Sequence, residues 1–376
     1  MDQHNFGEIF QREPRGSTRP SRSSTRFRKS YNESLIAPNI GDRDCGDANA
    51  STFPCADFMV NAGIQEDFLF LINKVGLTSY MNDESNQYAM LTKIFVESFK
   101  FSFGSYSSSV SFNIYNDSIS ITLEQFCHIL GIPMNGTTKK IANCPSELLE
   151  VYREITGDDC RNAQRGKIRN IQYPAVRYFT YYLATSILGR ENTSNISHYH
   201  LVFLDAALNG SIKYNLGAII ARRLATKGPI YGGIIASRIV HALGLSIHPS
   251  DVVLEPQRLD LAAMKVHQFV TMDSSARSLV YRMLFTDGEE REIPLPQQDL
   301  FSMCRRPLLC SKEMVDEHLK LSEFYGKHDR QLQENVPAPH YDYTVYHPGA
   351  SSSSYPDDAA TSSYHPGGGA SWDHWE

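Results

Sequence analysis

Apolar residues recur with a helical period along most of the middle of this chain, broken once by a stretch of period two. Residues 65–75 and 84–98 read as amphipathic helices. The period then changes. "FKFSF" (99–103), "VSFNIY" (110–115) and "SISI" (118–121) alternate as short strands do, and Asn116-Asp117 suits a two-residue hairpin turn. "TLEQFCHILGIP" follows with complete punctuation for one short helix. Thr122 is placed as N-cap, and Gln125 three residues on completes a capping box. Leu123, Phe126, Ile129 and Leu130 share a face. Gly131 fits the left-handed position after the helix, and Pro133 forbids continuation.

The same periodicity predicts helices over residues 146–155, 174–188, 197–208, 215–225, 233–243, 257–266 and 312–328. In the second of these, Val176, Phe179, Leu183 and Ile187 form the apolar stripe. The expected fold is mainly α: a multi-helix globular domain with a small antiparallel sheet, a hairpin, near its N-terminal part, between disordered tails. Residues 1–52 are a basic, Ser-rich arm with few large apolar side chains, including "RPSRSSTRFRKS" (19–30). Residues 53–330 form the α-rich domain. Residues 331–376 are a tail rich in Tyr, His, Pro, Gly and Ser, with "YHPGAS" and "YHPGGGAS" as an imperfect repeat and no Lys or Arg after Arg330.

Composition adds a compartment. No run approaches the roughly 18 apolar residues of a membrane span, and the N-terminus has no apolar core of a secretory signal. Seven cysteines at irregular spacing point to reduced thiols. A nuclear or cytoplasmic protein is expected, not a secreted one.

Charge changes the picture more. The chain carries −6, yet residues 160–238 hold eleven Lys/Arg against two acids, leaving −15 for the rest. A basic centre with acidic flanks can attract a polyanion. The bland alternative is a solvated surface with local ion pairs. Arg161, Arg165, Lys167, Arg169, Arg222, Lys227 and Arg238 are the candidate nucleic-acid-binding residues. Two charges fall within apolar stripes, Asp205 in "LVFLDAAL" and Arg223 between Ile219 and Leu224. A buried Asp205–Arg223 pair would explain both. Otherwise Arg223 joins Arg222, Lys227 and Arg238 on a polyanion-binding surface.

"KGPIYGGII" (227–235) is the most site-like run. A phosphate-binding P-loop requires a lysine after its glycines, followed by Ser or Thr. Here Lys227 comes first and Ile234-Ile235 follow. A joint between two helices accounts for each residue. Gly228 and Pro229 stop the first helix, and the small pair Gly232-Gly233 lets the next begin against a close neighbour. No C-x-x-C, zinc knuckle, G-x-S-x-G or H-E-x-x-H occurs, so no metal site, cofactor, small-molecule ligand or enzyme is expected. "YPDD" (355–358) lies in the Ser/Pro-rich tail and reads as chance.

"SISITLEQFCHILGIP", "YNLGAIIARRLATKGPIYGGIIASRIVHALGL" and "HQFVTMDSSARSLVYRMLFTDGEEREIPLP" resemble plant retrotransposon-derived open reading frames. These are the plant transposon protein domain and the Athila-type first open reading frame, with a more distant likeness to the plant mobile domain. The resemblance spans roughly residues 60–320 and brings no catalytic motif. It implies a mobile-element protein with a gag-like or nucleic-acid-associated role. Three functions remain open: nucleic-acid binding through phosphate contacts from the 160–238 region, a protein-interaction or self-assembly module, and a metal-dependent transposase or nuclease built on carboxylates that spacing alone does not reveal.

Overall fold

The first described residues, Ala50 and Ser51, are buried. The computed structural model describes residues 50–334, apart from 84, 105–106, 142–144, 159–165, 190–193, 211, 227–231, 274–277, 302 and 304–306. The chain divides into two compact units, Met1–Ser322 and Glu323–Glu376.

Strand β1 (Thr52–Pro54) leads into α1 (Ala56–Asn61), α2 (Gln65–Lys74) and α3 (Thr78–Met81). A two-residue strand β2 (Gln87–Tyr88) precedes α4 (Ala89–Ser98). The helix expected over 84–98 therefore starts later, because residues 87–88 pair with a distant strand. The predicted meander follows as β3 (Lys100–Ser102), β4 (Ser109–Ile114) and β5 (Asp117–Thr122), antiparallel in that order. Its turn is Tyr115-Asn116, one residue earlier than the sequence indicates, since Ile114 pairs with Asp117. Tyr115 takes φ 52° there, and its hydroxyl is held by Asp251 Oδ2 at 3.0 Å and the His248 amide at 3.0 Å. Those distant contacts, not local turn propensity, choose the turn.

Helix α5 (Leu123–Leu130) has the predicted capping box, with Gln125 N–H on Thr122 Oγ1 at 3.1 Å and Thr122 N–H on Gln125 Oε1 at 2.9 Å. Gly131 closes it at φ 68°. Helices α6 (Ser146–Thr156), α7 (Pro174–Tyr182), α8 (His198–Asn209), α9 (Leu216–Ala225) and α10 (Gly233–Ala242) follow. All nine residues of α7 are buried, so the expected one-sided stripe is in fact a helix enclosed on every side. It passes into a π turn at Leu183–Ile187. Tyr178 and Tyr182 of α7 meet Phe68 of α2 edge-on, at centroid separations of 5.3 and 5.8 Å. Fully burying one such ring contributes about 2–3 kcal/mol.

The remainder departs most from expectation. Residues 257–266 are not one helix. They form β7 (Gln257–Leu259), preceded by β6 (Val253–Leu254), and α11 (Leu261–Val266), whose N-cap Asp260 accepts from the Ala263 amide at 2.9 Å. β6 pairs with β2, and β7 runs parallel to β1, so residues 253–259 are tied to the first strands of the fold. A three-stranded antiparallel sheet then forms from β8 (Val270–Asp273), β9 (Ser278–Leu284) and β10 (Glu290–Leu295), with β9 central. Helix α12 (Lys312–Glu334) ends the described chain. Among the described residues helix dominates, as expected, but strand content is substantial and spread over four small sheets rather than one.

Arg177 links α7 to the last sheet. It is buried, donates to the carbonyls of Arg282 and Gln268 at 2.9 Å each, and lies against the rings of Phe269 and Tyr281. Two carbonyl dipoles and two ring faces solvate its charge in place of a carboxylate.

Candidate nucleic-acid interface

Of the glycine run, Gly232 and Gly233 lie among the described residues, at the start of α10. An added Cβ on Gly232 would come within 2.6 Å of Val96 Cγ2 of α4, and one on Gly233 would strike Gln87 Oε1. The small pair lets α10 begin in contact with α4 and β2. Lys227, Gly228 and Pro229 lie outside the described residues, as do Arg161 and Arg165.

The buried pair proposed for Asp205 and Arg223 is not formed. Asp205, 2% exposed, accepts from Asn209 Nδ2 at 2.7 Å and pairs with Lys213 at 3.3 Å. The short α8–α9 connection folds Lys213 back over the carboxylate, so a local partner takes the place of a cross-helix one. Arg223 points instead to the Leu188 carbonyl, at 3.1 Å from Nε. Burial lowers its pKa from the usual guanidinium range, with the nearby Tyr199 acting in the opposite sense.

The other candidates separate. Arg238 is bound to Asp83 at 3.1 Å, with its side chain 15% exposed. That charge is neutralised within the fold. Lys167 and Arg169 are exposed on the short turn before α7, where Lys167 Nζ donates to Asn195 Oδ1 at 2.6 Å. Arg222 has the most distinctive surroundings. Its guanidinium lies 5.0 Å from the Phe101 ring centroid and 5.9 Å from that of Phe103, and donates to the Thr138 carbonyl at 2.7 Å. Burial lowers its pKa from the usual range, with Tyr199 again opposing.

Three segments build this place. Phe101 lies within β3, and Phe103, two positions on, follows on the same side of the extended chain, while Lys100 and Ser102 alternate to the other. β3 is an edge strand packed against α9, which brings Arg222 from the last turn of that helix over both rings. Phe103 remains 56% exposed. The third segment is the loop after α5. Thr137 exchanges backbone hydrogen bonds with Lys213 and Asn215, each at 2.9 Å. Gly136, at φ 87°, lies so close to the Tyr214–Asn215 backbone that a Cβ would meet it at 2.5–2.8 Å. This pinning fixes the exposed Lys139 and Lys140 directly after the Thr138 carbonyl that holds Arg222. Among the described residues neither lysine makes an ion pair.

Beside this cluster is an open cleft of about 310 Å³, walled by Gly104, Ser107, Ser108, Thr122, Met134 and Thr138, with Glu124 as its acidic group. A larger cleft of about 600 Å³ is lined by Asp57 and Asp260, the wrong charge for a polyanion. Among the described residues no group of three or more His, Cys, Asp or Glu could hold a metal ion, and no helix is long and apolar enough to cross a membrane.

The sequence singled out Arg222 but not Phe101, Phe103, Lys139 or Lys140. The rings were legible as strand residues and nothing more. Their proximity to Arg222 depends on β3 packing against a helix more than a hundred positions later.

Residues 47–220, a little under half of the chain, match the ATHILA ORF-1 family. That stretch contains the two phenylalanines and the two lysines and stops two residues short of Arg222. No curated protein matches the chain, and no solved structure does.

Proposed function

We propose, from the match of residues 47–220 to the ATHILA ORF-1 family, that this is a retrotransposon-derived, nucleic-acid-associated protein that binds phosphate backbones without catalysing a reaction. One observation carries the reading. Arg222 lies over Phe101 and Phe103 and is held by the Thr138 carbonyl, directly before the exposed Lys139 and Lys140, and no acid pairs with these lysines among the described residues. Exposed lysines with no carboxylate partner are free to meet a phosphate. Lys167 and Arg169 extend the basic character of the same fold, whereas Arg238 does not contribute. Binding of this kind releases counterions, so it weakens steeply with salt and depends little on base sequence.

The test is fluorescence anisotropy of the full chain with a labelled oligonucleotide across roughly 50–300 mM salt, the range in which counterion release dominates. Saturable binding at the low end that fades with salt supports the reading. No binding at the low end overturns it.

A further inference from the structure

We infer that the cleft beside Arg222 receives a single unpaired base, so that the ligand of this surface is single-stranded nucleic acid. This rests on the nucleic-acid reading above and goes on to name the strand state.

The charges around the cleft are sorted by sign. Arg222 donates to the carbonyl of Thr138, a wall residue that Lys139 and Lys140 directly follow in the chain, while Glu124 lines the cleft. A phosphate drawn to the cations is repelled from the carboxylate, so the backbone belongs on the rim. What suits the interior is a neutral, flat, polar group. The cleft supplies acceptors and hydroxyls from Glu124, Ser107, Ser108 and Thr122, an apolar contact from Met134, and a volume of about 310 Å³. A nucleobase has this character, because its edge carries N–H donors and ring acceptors and its faces are apolar.

The aromatic pair supplies the second half of the argument. Phe103 exposes more than half of its surface directly before Gly104 of the cleft wall. Arg222 lies near Phe101 and Phe103 and is held by Thr138, so the ring and the guanidinium are positioned before a ligand arrives. A preformed ring beside a cationic rim is how sequence-tolerant single-strand sites gain affinity, since every base has a face to stack. A duplex keeps its bases stacked internally and can use only the rim.

The experiment compares one labelled oligonucleotide as a single strand and as a duplex, binding to the full chain. Single-strand binding at least fivefold tighter is expected. Phe103→Ala should remove most of that preference, and Phe103→Trp should keep it. Phe103 is exposed, so neither variant threatens the core. Lys139→Gln with Lys140→Gln should weaken both ligands alike. Equal affinity for the two forms, or an equal loss with both on Phe103→Ala, overturns the base cleft and leaves phosphate binding standing. Failure to bind either form overturns the wider reading as well.

Discussion

Arg177 shows what a buried charge requires when no carboxylate is present. Its two carbonyl acceptors belong to Gln268 and Arg282, beyond the ends of the sequence windows in which charge patterns are usually read. Arg177→Leu would remove the charge but leave two buried carbonyls without a donor, at about 2–4 kcal/mol in all. Arg177→Lys should not restore stability, because one ammonium on a flexible stem does not reproduce a planar fork reaching both carbonyls. Urea denaturation midpoints of the three proteins decide this. His267 gives a pH signature in the same region. It stacks on Tyr181, and burial, with the Arg177 charge second, holds its pKa below the usual imidazole range. A lowered folded pKa means that the unfolded chain takes up the proton first. The contribution is present above the unfolded value of about 6.5 and is lost as pH falls through it. The urea midpoint should therefore drop between pH 7.5 and pH 5.5, and by less in His267→Gln. An equal drop in both proteins would assign the effect to other groups. Charges of this kind are hard to read from sequence. Asp205 was recognisable as anomalous, but its partner Lys213 was decided by how a connection folds back.

At the scale of elements, legibility follows how local the determining interactions are. The box of Thr122 and Gln125 closes within four residues, so it was visible in full. Removing it with Thr122→Ala should cost about 1 kcal/mol. The turn at Tyr115 moved by one residue because its hydroxyl is engaged more than 130 positions away. The sheet of β8, β9 and β10 was missed for a different reason. Three successive residues of β9, Leu279, Val280 and Tyr281, are all buried, so the strand has no clean alternation to detect. The helix joint lies between these cases. Its glycines predicted a close approach without naming the neighbour, and that neighbour is Gln87, whose Oε1 also accepts from the Ser51 amide at 2.8 Å. Gly233→Ala should therefore loosen the entry strand as well as α10. We expect a loss of about 1–3 kcal/mol, together with faster hydrogen exchange at the Ser51 amide. Unchanged exchange there would confine the damage to the helix.

For the whole molecule the question is whether a count of charge along the sequence predicts where a polyanion binds. Residues 160–238 carry a net +9 within a chain of −6, and a charge count by itself weighs every cation in that segment alike. The fold divides them differently. Arg177 is buried, Lys213 is committed to Asp205, and Arg238 is committed to Asp83. Two exposed lysines from outside the segment, Lys139 and Lys140, directly follow the Thr138 carbonyl that holds Arg222. The two readings part in the salt dependence of binding. Each phosphate neutralised on a single strand contributes about −0.7 to the slope of log K against log salt. Changing both lysines to glutamine should flatten that slope by about 1.4 if each meets one phosphate. Arg238→Gln should leave the slope unchanged, because the charge removed already faces a carboxylate. Such a variant weakens folding rather than binding, so the slope is read where circular dichroism shows the chain folded. If Arg238→Gln flattens the slope as much as the lysine pair does, the charge count outranks the geometry and the surface around Arg222 loses its special standing.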